Sequence, residues 1–506
     1  MDGLFCSTRY PSGVNRDLAL QKLKTGHFDL LIIGGGITGC GIALDAASRG
    51  LRVGLIERGD FSSGTSSKSS KLIHGGLRYL RQLQFKVTLE ASREKARLKK
   101  MAPHLVVDLP FLLPLWTRAA RPMISSGLWI YDAAAGFPKG LIHKHLSRAE
   151  TQATLPGLLG DGLRGGFLYY DARADDCRLV LHIARKAVEL GAVLANRLPA
   201  TGFLKSRGRV AGVRTPLFEI QATRVINASG VWCDEVRAVD DPAARATIRP
   251  SKGVHLIVPA RRLALKTAAM LPSPDRRIVF LIPEGDRAII GTTDTDYSGS
   301  LDRARAEAAD IEYLLGVVNA NLPKARLTRA DVQSTYAGLR PLLVDGADVP
   351  SKASREHHLF ESASGLITLT GGKLTTWRLM AKQVLDRLTR IRCRTHLIDL
   401  YSTAARDPLS HLYGSTAAEI GDRRPLIDGL PYVWGEVEHA VGKEMAGSLT
   451  DVLSRRMRVA LYAEDRGAGV APAVAERMAP LLGWGKADIR DQVDAYLAEL
   501  EGNYPR

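Results

Sequence analysis

The sequence predicts an α/β chain, α+β overall, on three observations. A short apolar run, Phe28-Asp29-Leu30-Leu31-Ile32-Ile33, leads straight into Gly34, Gly36 and Gly39 at G-x-G-x-x-G spacing. Strand-like apolar runs crowd the text after Pro250, and beyond about Asp399 it turns helical and loses such glycines. The expected architecture is a Rossmann-like domain of the two-dinucleotide-binding kind, drawn from residues 28–100, 160–245 and 330–395. An antiparallel-sheet substrate domain is inserted at 101–159 and 246–329, and a helical C-terminal domain covers 400–506.

The opening run reads as a strand buried on both faces. The glycines after it serve, in turn, a tight turn, close approach of a pyrophosphate, and close packing of helix on strand. A helix from Ile37 to Arg49 ends at Gly50, a residue suited to a left-handed C-cap, and Leu51 to Ile56 returns as a second strand. Glu57 stands at its end, about twenty residues past Gly34, where a carboxylate accepts hydrogen bonds from adenosine ribose hydroxyls. Such an acid disfavours a 2'-phosphate, and so NADP. Gly34, Gly36, Ile37, Thr38, Gly39, Glu57 and Arg58 are thus candidate dinucleotide contacts.

The stretch from Ser62 to Tyr79 separates FAD from NAD, because its hydroxyl residues and glycines suit a backbone passing close to a second cofactor segment. Its run S-S-K-L-I-H-G-G-L-R-Y-L resembles that of the FAD-dependent glycerol-3-phosphate dehydrogenases, membrane-associated members of the D-amino-acid-oxidase-like flavoproteins. The resemblance implies FAD contacts from Ser66, Ser67, Ser70, Lys71, Leu72, His74, Gly75 and Gly76. It continues at Ala228-Ser229-Gly230, an A-x-G turn that returns to the phosphate end of the cofactor, with Trp232 following.

Length and composition set the wider frame. A chain of 506 residues exceeds one ordinary core, and 45% hydrophobic with 24% charged residues is a globular balance. The net charge of +17 attracts polyanions: anionic lipid, nucleic acid or a phosphorylated substrate. The cations are spread along the chain without an arginine-rich tail or aromatic-interleaved patch, which favours membrane surface and phosphate over nucleic acid. Cys6, Cys40, Cys177, Cys233 and Cys393 are widely separated and odd in number, so neighbours build neither a disulfide framework nor a metal site. With no unbroken apolar run of ~18 residues, a cytoplasmic location is expected.

The basic stretch Gln84 to Met101 reads as a solvated helix stopped by Pro103. Leu109 to Trp116, followed by Arg118, Arg121, Met123, Trp129 and Tyr131, mixes apolar groups, interfacial aromatics and cations as shallow bilayer insertion requires; the alternative makes Leu112 to Leu115 core. The resembled family sits on the membrane with this region. Asp175 or Asp176 is placed to cap the helix that runs to Leu190.

Runs at Gly253 to Pro259, Arg277 to Pro283 and Arg287 to Gly291 predict the antiparallel sheet, with His255 inside one strand. Oxidising a secondary alcohol needs a base for the hydroxyl proton, and neutral imidazole suits it. His255 matches the family's base position; His74 is the competitor. Arg340 and Arg78 offer planar forks for a phosphate and Lys373 a point charge. By resemblance Arg340 and Lys373 contact substrate with Arg78 and Tyr79 beside them, and which of them holds the phosphate stays open. Gly372, Lys373, Leu374 and Thr375 begin a helix whose N–H groups can stabilise charge on reduced flavin. The helical C-terminal region also resembles one peculiar to this family, and leaves capping, homodimer or partner contacts open.

The expectation is an FAD enzyme oxidising sn-glycerol 3-phosphate to dihydroxyacetone phosphate and passing electrons to a membrane quinone. It would act on the cytoplasmic face of the inner membrane. The alternative is an oxidase reducing oxygen to hydrogen peroxide.

Overall fold

A computed structural model of the protein describes residues 16–76, 85–137, 139–275, 277–344 and 357–503. Eighteen strands in these segments form two sheets. The chain enters through helix α1 (Arg16–Thr25), strand β1 (His27–Ile33), helix α2 (Ile37–Ser48) and strand β2 (Val53–Ile56). Then come β3 (Leu72–Ile73), helix α3 (Phe85–Met101), β4 (Val107–Leu115), helix α4 (Ala120–Ala134), β5 (Lys144–Leu146) and β6 (Gly165–Arg173). Beyond the helix Asp176–Glu189 lie β7 (Val193–Ala195), the hairpin β8 (Gly202–Ser206) and β9 (Arg209–Arg214), and β10 (Glu219–Asn227). The remaining strands are β11 (Ile248–Pro259), β12 (Ala268–Pro272), β13 (Ile278–Glu284), β14 (Arg287–Gly291), β15 (Thr295–Asp296), β16 (Ser334–Leu343), β17 (His357–Glu361) and β18 (Ile367–Gly371).

The first sheet has the order β17-β18-β10-β1-β2-β7, parallel from β18 to β7, with β9 and β8 added beside β10. Alternate residues of β1 enter different cores. Leu30 and Ile32 pack with α2 and the helices Asp176–Glu189 and Trp377–Leu388, while Leu31 and Ile33 pack with Leu23 of α1 and the β8–β9 hairpin. A strand covered on both faces has to be apolar at successive positions, and this is why β1 carries no alternation. Helix α2 comes close to the Trp377 helix because Gly41 has no side chain: a Cβ there would lie 2.5 Å from the Trp377 ring.

The second sheet runs β15-β11-β14-β13-β12-β4-β6-β3, with β16 beside β11 and β5 beside β6. One face packs Val254, Leu256 and Ile290 against the helix Ala308–Asn321; the other packs Ile257, Ile289 and Tyr336 with the C-terminal helices. Strands β6 and β16, which fall in ranges the sequence allots to the first domain, pair into this sheet.

Two readings of the middle region change. Phe111, Leu112 and Leu115 are at most 4% exposed, so β4 is core strand rather than bilayer-inserting surface. Exposed apolar groups are found instead on α4 and just after it: Met123, Trp129, Ile130 and Phe137. Helix α3 is not simply solvated either, since buried Lys95 pairs with Asp171 at 2.9 Å and buried Glu94 receives Arg378 at 2.6 Å. Charge runs hide such pairs because the partner lies far away in sequence. Asp175 caps the following helix, its carboxylate accepting from the Arg178 N–H at 2.8 Å.

Candidate active site

At the end of β1 the tight turn and the close packing of helix on strand expected of Gly34 and Gly39 are present. Gly34 has φ +115°, and a Cβ on it would sit 2.6 Å from the Ala228 carbonyl oxygen. A Cβ on Gly39 would sit 1.9 Å from the Gly34 oxygen, so helix and strand meet only without side chains. Gly36 is the N-cap of α2, and Ser66 Oγ accepts from the Ile37 N–H at 3.0 Å. Glu57 accepts from the Gly35 and Gly59 N–H groups at 2.6 and 2.7 Å. Its burial raises the carboxyl pKa, and those two donors act against the rise. A carboxylate has about four lone-pair directions, so capacity is left for ligand hydroxyls.

These groups border a cleft of about 1200 Å³, roomier than the roughly 300–1,000 Å³ of ordinary small-molecule sites. Gly34, Gly36, Ile37, Thr38, Glu57 and Arg58 form its floor, and Ser66, Ser67, Ala228 and Gly230 a second side. Gly372, Lys373 and Leu374 close a third. An extended dinucleotide fits this cradle: the glycine turn keeps the backbone at the start of α2 open to phosphates, its N–H groups are donors, and Glu57 lies on the same wall. The remaining expected contacts, Gly39, Ser70, Lys71, Leu72, His74, Gly75, Gly76 and Thr375, lie off the cleft wall. Lys71 is buried with its ammonium 2.7 Å from Asp176, which also binds Arg458 at 2.6 Å. The Gly75 N–H donates to Tyr131 at 2.7 Å, and the His74 N–H to Thr375 Oγ1 at 3.3 Å. Trp232, with the Arg58 guanidinium 4.4 Å over its ring, lines the cleft, as do Arg455 and Glu499. Only Trp232 has a signal in the sequence, its place after the A-x-G turn.

The β11–β16 ladder assembles a second group. His255 pairs with Tyr336 and Ser251 with Arg340, so period-two alternation puts His255, Tyr336 and Arg340 on one face. The His255 ring stacks on Tyr336 at 4.6 Å and 8°, and its Nε2 is 2.7 Å from Ser70 Oγ. Burial, then the cations of Arg340 and Lys71, push the imidazole well below the usual histidine range, so it is neutral at pH 7. Arg340 donates to Thr292 Oγ1 at 2.9 Å, Asp294 Oδ1 at 3.1 Å and the Thr293 carbonyl at 3.2 Å. Gly253 leaves room for the guanidinium, since a Cβ there would lie 2.3 Å from Arg340 Nη2. Arg78 and Tyr79 lie outside the described residues. Among the described residues no His, Cys, Asp and Glu group could hold a metal ion.

Comparison with known proteins agrees with this geometry. The family model described as FAD dependent oxidoreductase matches residues 29–382, and one described as C-terminal domain of alpha-glycerophosphate oxidase matches 364–489. Glycerol-3-phosphate dehydrogenase 2 of Mycobacterium tuberculosis is 39% identical, covering 96% of this chain and 90% of its own. Aerobic glycerol-3-phosphate dehydrogenase of Staphylococcus epidermidis is 34% identical, with 97% and 96% covered. A crystal structure of the glycerol-3-phosphate dehydrogenase from Bacillus halodurans, complexed with FAD, superposes with TM-score 0.80 at 31% identity over 96% of this chain and 97% of that one. A glycine-floored dinucleotide cleft, an inserted, mainly antiparallel sheet and relatives matched along nearly their whole length agree on one assignment: the chain belongs to the FAD-dependent oxidoreductases, within the glycerol-3-phosphate dehydrogenase family.

Proposed function

We propose that the protein oxidises sn-glycerol 3-phosphate to dihydroxyacetone phosphate. The observation that carries this is the neutral, desolvated His255 on a strand face shared with Arg340, in a chain whose relatives bear that activity in their names. FAD, when bound, supplies the hydride acceptor. Arg340, oriented by Asp294 and Thr292, and Lys373 at the cleft edge attract the phosphate dianion. His255 takes the C2 hydroxyl proton at Nε2, the nitrogen that lies 2.7 Å from Ser70 Oγ, while the C2 hydrogen leaves as hydride. His74 is the second candidate base, its backbone placed beside the 374–376 turn by the N–H bond to Thr375 Oγ1.

The acceptor we propose is a membrane quinone, reached from the cytoplasmic face of the inner membrane. Support comes from Met123, Trp129, Ile130 and Phe137, exposed between 45% and 62% on a chain of net charge +17. Among the described residues no helix is long and apolar enough to cross a membrane. Anaerobic addition of sn-glycerol 3-phosphate is expected to bleach the flavin band near ~450 nm, where glycerol and D-amino acids leave it unchanged. An unbleached flavin rejects the substrate. Steady peroxide production without quinone selects the oxidase instead.

A further inference from the structure

The helix Lys486–Asn503 belongs to the C-terminal domain, yet part of it faces the cofactor cleft. Tyr496 and Leu500, 0% and 2% exposed, join the C-terminal core with Ile489 and Val493. Ala498, Glu499 and Gly502 line the cleft, along with Lys68 and Arg455. At about 100° per residue, positions 496 and 500 point roughly 160–200° away from 498, so one face anchors the helix while the other meets the cavity. The Tyr496 hydroxyl fixes the anchor by donating to the Arg466 carbonyl at 2.6 Å.

We infer that this helix is the outer wall of the dinucleotide cleft and retains FAD there, making the C-terminal domain a cofactor-binding element. The inference rests on the cleft being the FAD site. Ala498 and Gly502, one helical turn apart, give a smooth surface for a ligand to lie against. Between them Glu499 attracts the Lys68 ammonium, which burial otherwise makes easier to deprotonate, and Arg455 beside it is fixed to Asp60 at 2.6 Å. The C-terminal domain thereby brings the Arg455 guanidinium to the cleft beside Lys68, a pair of cations suited to a diphosphate. The matched C-terminal family model stops at residue 489, before any of the three wall residues.

Two variants test this with FAD itself as the probe. Ala498→Phe combined with Gly502→Phe leaves the anchoring stripe intact. It is expected to weaken FAD uptake by the apoprotein at least tenfold in a flavin-fluorescence titration, with the apoprotein melting temperature unchanged. Truncation after Gly485 is expected to speed FAD loss from the holoenzyme at least tenfold on dilution. If the truncated chain does not fold, the double variant decides alone. Uptake by the folded double variant equal to that of the unaltered chain overturns the inference. An unaltered chain that takes up no FAD overturns the assignment of the cleft itself.

Discussion

An imidazole stacked on Tyr336, buried, and facing Arg340 and Lys71 keeps its lone pair down to pH values well below that of a free histidine. Its depressed folded-state pKa makes a stability contribution that is present above the unfolded value of ~6.5 and is lost as pH falls through the folded one. His255→Ala is therefore expected to slow anaerobic flavin reduction about 10²–10⁴-fold and to remove the low-pH limb of the rate profile; an unaltered rate in stopped flow gives the role to His74. Arg340→Ala is expected to raise KM for the phosphate substrate with FAD content unchanged, and loss of FAD would place the guanidinium on the cofactor. Glu57 and Gly39 are legible in the sequence because their partners, Gly35, Gly59 and Gly34, lie within one βαβ unit. The partnership of His255 with Ser70 is not, since it spans 185 residues and needs the ladder register. Lys71 is a cofactor contact by resemblance, and nothing in its own surroundings announces Asp176, 105 residues on.

At the scale of elements, α2 shows how little tolerance the dinucleotide turn has. Gly39→Ala places a methyl against the Gly34 carbonyl, and overpacking of this kind costs about 1–3 kcal/mol. A lowered melting temperature together with weakened FAD binding is expected, and unchanged values of both would mean the turn yields. Helix α4 is hidden in the sequence for the opposite reason: its exposed groups come immediately after the equally apolar β4, and only the fold separates core strand from surface helix. Replacing Met123 and Trp129 by Ser is expected to cut partitioning onto anionic vesicles about tenfold or more. Equal sedimentation of both forms with the vesicles would remove α4 from membrane attachment.

Across the whole molecule, the C-terminal domain is locked to the rest by buried ion pairs and hydrogen bonds that no local pattern could reveal. Arg456 reaches Asp60 at 2.9 Å, Arg458 reaches Asp175 at 2.8 Å, and Arg178 donates to Tyr413 Oη at 2.9 Å. In the same cluster Glu436 accepts from Tyr413 Oη at 2.9 Å and from the Val433 N–H at 2.7 Å, while burial pushes its carboxyl up to about 7. A raised carboxyl pKa makes the folded state bind the extra proton, so stability from this group is full below ~4.5 and falls as pH rises through 7. His439 opposes it, pushed down to about 4 by burial, and a direct comparison of variants cancels its contribution. Glu436→Gln is expected to melt above the unaltered chain by a margin that grows from pH 5 to pH 8, on the order of 3 kcal/mol at most. A margin independent of pH would show that the carboxyl does not titrate there.

The parallel core of the first sheet interleaves β1 and β2 with β10 and β18, whose last residue is Gly371. At roughly 5–20 residues per second, a ribosome takes about 15–60 s after making β2 to deliver β18. For that interval β10 lacks its outer neighbour, and the face of Leu30 and Ile32 lacks the Trp377–Leu388 helix that completes its cover. The lining of the cleft, which runs on to Gly502, is complete only when translation is nearly over.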